Sequence, residues 1–222
     1  MKKYLSLAAT LALLLGAPAA VQAADQTVAA GPKTEADRDY DAVWAIYKSE
    51  PAKPDLFKEN RREFTVWQSQ HFLDFANAAR AFAAKYPADP RRYEALVQSS
   101  YTRPWFLTGF RPEFDAAPGE RNMLVDQAAL NAFRASQLKY LAEVVTAPDA
   151  TMRQRGGGFA AYLTDSRADA KDRGMAFDLS PARAVVERVL EKMPDERALV
   201  VVDQFLVALK QQSPDEAKAF EA

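Results

Sequence analysis

Between Asp55 and Tyr86 the large apolar residues recur at three- and four-residue steps, and that period restricts the segment to a helix. At 100° per residue, Phe64, Trp67, His71, Phe75, Ala79, Phe82 and Tyr86 fall within an arc of about 120°, with Asn77 and Arg80 roughly opposite. An aromatic stripe of this kind needs a partner surface, because each large side chain buried there contributes on the order of 1.5–3 kcal/mol. The same period recurs elsewhere. Thr34 to Ser49 carries Tyr40, Val43, Trp44 and Tyr47 behind a capping Thr34 and an acidic first turn. Arg121 to Val145 carries Met123, Leu130, Phe133, Leu138, Leu141, Val144 and Val145, and Ala182 to Met193 carries Val185, Val186, Val189, Leu190 and Met193. The run Ala198–Val202 is β-branched enough for a strand. Phe205, Leu206 and Leu209 continue it at helical spacing, however, and no second strand is visible, so it reads as helix.

Pro54-Asp55, Pro148-Asp149, Pro194-Asp195 and Pro214-Asp215 each precede an amphipathic stretch. Proline suits the first helical position and an acid suits the positive end of the helix dipole, so these pairs read as helix starts. Their unequal spacing excludes a strict repeat. The resulting expectation is an all-α fold of antiparallel helical pairs.

The first 23 residues follow a different pattern. Lys2 and Lys3 precede the apolar run Leu5–Leu15, and small residues end at Val21-Gln22-Ala23, the layout of a secretory signal peptide cut after Ala23. The mature protein is therefore expected in the periplasm or secreted. That apolar run is about half of the roughly 20 residues a bilayer span needs, and no later stretch is longer, so no membrane span is expected in the mature protein. Residues 24–33 lack an apolar period and read as a flexible N-terminus. A single helical domain is expected over 34–222, with 34–115 and 119–222 as candidate halves.

Composition narrows the function classes. Hydrophobic residues make up 49% and charged residues 27%, enough apolar surface for the chain to fold alone. Lys and Arg number 29 against 30 Asp and Glu, and loss of Lys2 and Lys3 with the leader takes the net charge from −1 to −3. That is no footprint for nucleic acid. The chain has no cysteine, which removes disulfides, thiolate nucleophiles and cysteine-ligated zinc, so packing alone holds it together.

Ala78 and Phe82 have the small-then-large spacing, and Tyr86-Pro87 through Pro90 the exit turn, of a tetratricopeptide-type second helix. The segment Ala78–Pro90 resembles that repeat, which implies a tetratricopeptide-like or irregular helical bundle. The helix ending in Tyr-Pro, the later helical pairs and the leader together resemble the helical region preceding the thioredoxin-like domain of some exported bacterial redoxins. That resemblance implies a helical interaction or spacer module. No C-x-x-C is present, so redox activity is not implied.

Candidate sites are few. His71 is the only histidine, so a Ser-His-Asp triad would need it and an H-E-x-x-H zinc site is excluded. No G-x-S-x-G accompanies it, and its place on the aromatic stripe favours a structural or partner-facing role. Arg153-Gln154-Arg155-Gly156-Gly157-Gly158 could cradle an anion, but it lacks a P-loop ending and reads better as a helix break or a close-packing point. Asp37, Asp39 and Asp41, and Asp165, Asp169 and Asp172, read as solvated helix faces, and the first set does not fill an EF-hand loop.

The segment Tyr101–Phe114 is the most unusual, with five aromatic residues, two arginines and two prolines and no helical phase. These residue types are enriched at binding hot spots, although aromatics capping the ends of a helical core would look the same. Tyr101, Arg103, Trp105, Phe106, Phe110 and Arg111 are the candidate binding residues. No catalytic residue, metal site or cofactor is assigned. The leading expectation is a non-enzymatic exported module that binds another protein or peptide along an aromatic surface. The alternative is a binder of an anionic small molecule, or a hydrolase, with a pocket around Tyr101–Phe114 and Arg103 or Arg111 on the anion.

Overall fold

Thr34 starts the first helix, α1 (Glu35–Lys48), through a reciprocal cap. Its hydroxyl accepts the Asp37 N–H at 3.1 Å while its own N–H donates to the Asp37 carboxylate at 2.9 Å. The computed structural model describes residues 32–221, so the leader and residues 24–31 of the expected flexible segment lie outside the described residues.

The long periodic stretch divides at Asn60, whose side-chain oxygen accepts the Glu63 N–H at 3.1 Å and opens a new helix. A single turn, α2 (Leu56–Glu59), therefore precedes α3 (Arg61–Lys85). The aromatic stripe packs on α1 in antiparallel fashion. Tyr40 meets Phe82 with ring centroids 5.4 Å apart, and Tyr47 meets Phe75 at 4.9 Å. Val43, Phe75, Ala79, Phe82 and Ala95 are the buried centre of this contact. Ala95 comes from α4 (Arg91–Ser100), a helix the sequence reading did not identify.

After α4 the chain forms a short antiparallel pair, β1 (Leu107–Phe110) and β2 (Met123–Val125), with a register irregularity between Leu107 and Gly109. The helix expected from Arg121 therefore begins only at Gln127, and Met123 is in a strand. Asp126 caps this helix, α5 (Gln127–Thr146), by accepting the Ala129 N–H at 2.9 Å. The remaining helices are α6 (Met152–Asp172), α7 (Ser180–Lys192), α8 (Glu196–Gln212) and α9 (Pro214–Glu221). Leu199 to Val207 is helical, as its spacing implied. Apart from the one small sheet, the described fold is an all-α bundle of packed helix pairs.

Of the four Pro-Asp pairs only Pro214 occupies a first helical position. Asp195 caps α8, Asp55 precedes α2 without a side-chain cap bond, and Thr151 rather than Asp149 caps α6. The Pro-Asp pairs mark approaches to helices more than their first residues.

The three glycines do not break a helix. α6 runs through them because they let it lie close against three neighbours: a Cβ on Gly156 would stand 2.7 Å from Val200, on Gly157 3.3 Å from Val97, and on Gly158 3.3 Å from Val145. Close packing of the backbone compensates for the poor helix propensity of glycine. α6 thereby joins the largest core, built on Leu141, Val145, Phe159, Val186, Val189, Val201 and Phe205. Among the described residues no helix is long and apolar enough to cross a membrane.

Candidate functional site

The hydroxyls of Ser100 and Thr102 satisfy the carbonyls of Val97 and Ser99 at 2.6 and 2.9 Å, which closes α4 with its own side chains. The chain then turns away through Arg103, Pro104 and Trp105. A cleft of about 360 Å³ opens between the end of α4, β2, α5 and α6. That volume is at the lower end of the range for small-ligand sites, about 300–1,000 Å³.

Charge is concentrated there. Arg103 donates to Asp165 on α6 at 2.9 Å, and Arg134 on α5 donates to Asp172 at 2.5 Å. Asp165 is only 7% exposed. Its burial pushes the carboxyl above the ordinary aspartate value, against the opposing pull of Arg103 and Arg134. A buried, perturbed carboxyl in a cleft marks a candidate site on physical grounds. Lys171, Glu120 and Gln127 add to the polar lining, and Trp105, Leu130 and Phe133 supply apolar wall.

The cleft floor is braced from behind. Gln137, buried on α5, accepts from Arg80 at 2.7 Å, and the Arg80 guanidinium lies 4.3 Å from the Phe133 ring centre. Arg80 was expected on the solvent side of its helix. It is half-buried because that flank of α3 reaches the side chains of α5, and desolvation lowers its pKa.

Of the six candidate binding residues only Arg103 and Trp105 line this cleft. Phe106 and Phe110 line a second, more open hollow with Val66, Leu73 and Leu107. The split follows from the backbone: Phe106 has φ +51°, an unusual value for a bulky residue, and its ring packs on Phe133 at 5.5 Å. Tyr101 is 59% exposed, with its hydroxyl 3.5 Å from the Gly157 carbonyl. Arg111 is exposed and joins the structure through its backbone N–H, donated to the Asn122 carbonyl at 2.9 Å.

A row of rings leads to the cleft along the N-terminal part of α3. Phe57 contacts Phe64 (5.2 Å between centroids), Phe64 contacts Trp67 (5.7 Å), and Trp67 stacks on His71 (4.8 Å). His71 contacts Phe72 (5.8 Å), which contacts Trp105 (6.3 Å). The end of α1 is level with His71, where Ser49 Oγ stands 3.3 Å from Nδ1, so Phe64 and Trp67 lie beyond the cover of α1. Phe57 is 52% exposed and the other rings are half-buried. His71 lines neither cleft, and its partners are rings and one hydroxyl.

Burial decides the roles of Arg155 and Asp165. Arg155 is fully buried and donates to the carbonyls of Val145, Ala147, Ala150 and Arg197 at 2.9–3.2 Å, so its donors tie the end of α5 to the start of α8 and are not offered to an anion. In the second aspartate set Asp165 is not on a solvated face but buried in the cleft, whereas Asp172 lines the cleft and is exposed, and Asp169 pairs with Arg173 at 3.1 Å. In the first set, Asp37 pairs with Arg91 at 2.8 Å and Asp39 with Lys85 at 2.7 Å, fastening α1 to the start of α4 and the end of α3. Among the described residues no group of three or more His, Asp or Glu side chains could hold a metal ion.

Compared with protein-family models, curated proteins and solved structures, the chain matches none of them.

The partners of Arg103 were not legible in the sequence, since Asp165 lies 62 residues away. The only available signal was that Arg134 and Gln137 share one helical flank of α5 and Asp165, Ala168 and Asp172 one flank of α6.

Proposed function

We propose that this is an exported, non-catalytic binding module that holds a segment of another protein along the aromatic row of α3. The observation that carries this reading is the continuous contact from Phe57 through Phe64, Trp67, His71 and Phe72 to Trp105, on a stretch of helix that its antiparallel partner leaves uncovered. Half-buried aromatic side chains offer large contact area at low conformational cost, which is why they dominate binding hot spots. The resemblance of Ala78–Pro90 to a tetratricopeptide-type unit supports an interaction role, and the leader-like N-terminus supports an extracytoplasmic one.

Catalysis is the weaker reading. The single histidine is stacked on Trp67 and does not line the cleft, so the cleft has no imidazole to serve as base beside its carboxyls and arginines.

A photo-crosslinking residue at Phe57, the exposed end of the row, tests the proposal in the native host, with the same residue at Leu199 on α8 as control. One discrete protein adduct from position 57 and none from 199 supports it. Identical adducts from both positions, or none from either, overturn it.

A further inference from the structure

The cleft lining carries three cations, Arg103, Arg134 and Lys171, and three carboxylates, Glu120, Asp165 and Asp172. It is balanced in sum and polarised in detail. On the acceptor side, Asp165 Oδ1 takes the Arg103 N–H, and among the described residues no donor reaches Oδ2. The hydroxyls of Ser100 and Thr102 commit their hydrogens to backbone carbonyls and can therefore only accept. On the donor side, Arg103 is half-exposed and uses one nitrogen on Asp165, while Arg134 uses one on Asp172.

A net anion entering this cleft would meet carboxylates already facing the cations, and a net cation would meet the converse. A molecule with both charges satisfies each side and leaves no desolvated group unpaired. Trp105, Leu130 and Phe133 give such a molecule an apolar wall for a side chain, and about 360 Å³ limits it to a small one.

We infer that the cleft binds a small zwitterion, a free amino acid or a dipeptide with free ends, with its ammonium on Asp165 and its carboxylate on Arg103 and Arg134. The site shares only Trp105 with the aromatic row and would stand if no protein partner bound there.

Calorimetric titration of the full chain with the common amino acids and a set of dipeptides tests this, together with N-acetylated and C-amidated forms of the tightest binder. Blocking either end is expected to weaken binding about tenfold or more, because each block removes a charge-assisted hydrogen bond. Asp165→Asn should abolish the penalty for acetylation, Arg103→Gln should reduce that for amidation, and Leu199→Ala, at an exposed position on α8, should leave the affinity unchanged. Tighter binding of amino acids or of dipeptides identifies which of the two the cleft takes. Should Asp165→Asn lose its helical circular dichroism, the blocked ligands on the unmodified chain still decide. Absence of binding by every zwitterion at millimolar concentration, or blocked forms that bind as well as the parent, would overturn the assignment.

Discussion

Asp165 on α6 and Arg103 on the α4 exit loop form an ion pair of 2.9 Å that joins two parts of the chain across the cleft, one partner buried and the other half-exposed. Burial sets the sign of its pH dependence. The Asp165 carboxyl in the folded protein titrates above its ordinary value, 3.8, so across that window the folded state holds the extra proton. Stability contributed by this residue therefore falls as pH rises from the ordinary value through the raised one. Urea unfolding of the wild type and Asp165→Asn from pH 4 to 7 checks this: the wild type should lose stability relative to the variant as pH rises. A constant difference would place the carboxyl in a solvated setting.

Asp37 behaves in the opposite way. The Thr34 hydroxyl, the Thr34 N–H and then Arg91 hold its carboxyl down at about 2. Its stabilisation is present above the ordinary value and lost as pH falls from there to about 2. The stability difference between wild type and Asp37→Asn, followed by thermal unfolding, should therefore shrink between pH 4 and pH 2.

Gly156→Ala sets helix propensity against packing. Alanine gains about 1 kcal/mol in an open helix, but here its Cβ meets Val200 at 2.7 Å, and overpacking costs about 1–3 kcal/mol. The single variant should be destabilised, and Val200→Ala in the same chain should recover part of the loss. Chemical denaturation of both singles and the double measures the coupling.

Arg155→Met keeps the volume and removes the donors from the carbonyls of Val145, Ala147, Ala150 and Arg197. Each buried acceptor left alone costs about 1–3 kcal/mol, so the variant should lose about 3 kcal/mol or more in a urea titration. A loss below about 1 kcal/mol would mean that water replaces the guanidinium.

Periodicity made α1, α3, α7 and α8 legible, because large apolar residues recur along each at helical spacing. For α6 the Pro148-Asp149 pair marked the approach, but the run through three glycines was not legible, since they carry no hydrophobic signal and their value comes from the approach to Val97, Val145 and Val200, which the sequence does not bring together. A local sign existed: Thr151 and Gln154 have capping-box spacing, and the hydroxyl accepts the Gln154 N–H at 3.2 Å. α4 was hidden because Ser99 and Ser100 occupy buried positions that patterning expects to be apolar. The strands escaped notice because they are three and four residues long and have no tight turn between them. For the site, the residue types in Tyr101–Phe114 identified Arg103 and Trp105. The cleft they line depends on Asp165, Arg134 and Gln137, which only the fold gathers.

The aromatic row is tested most directly by the dissociation constant between this chain and the protein crosslinked at position 57, measured for wild type, Trp67→Ala and Leu199→Ala. Removing an aromatic hot spot costs about 2 kcal/mol or more, so Trp67→Ala should weaken binding by about thirtyfold while Leu199→Ala leaves it unchanged. Equal affinity of Trp67→Ala and wild type, with both folded, would contradict the account.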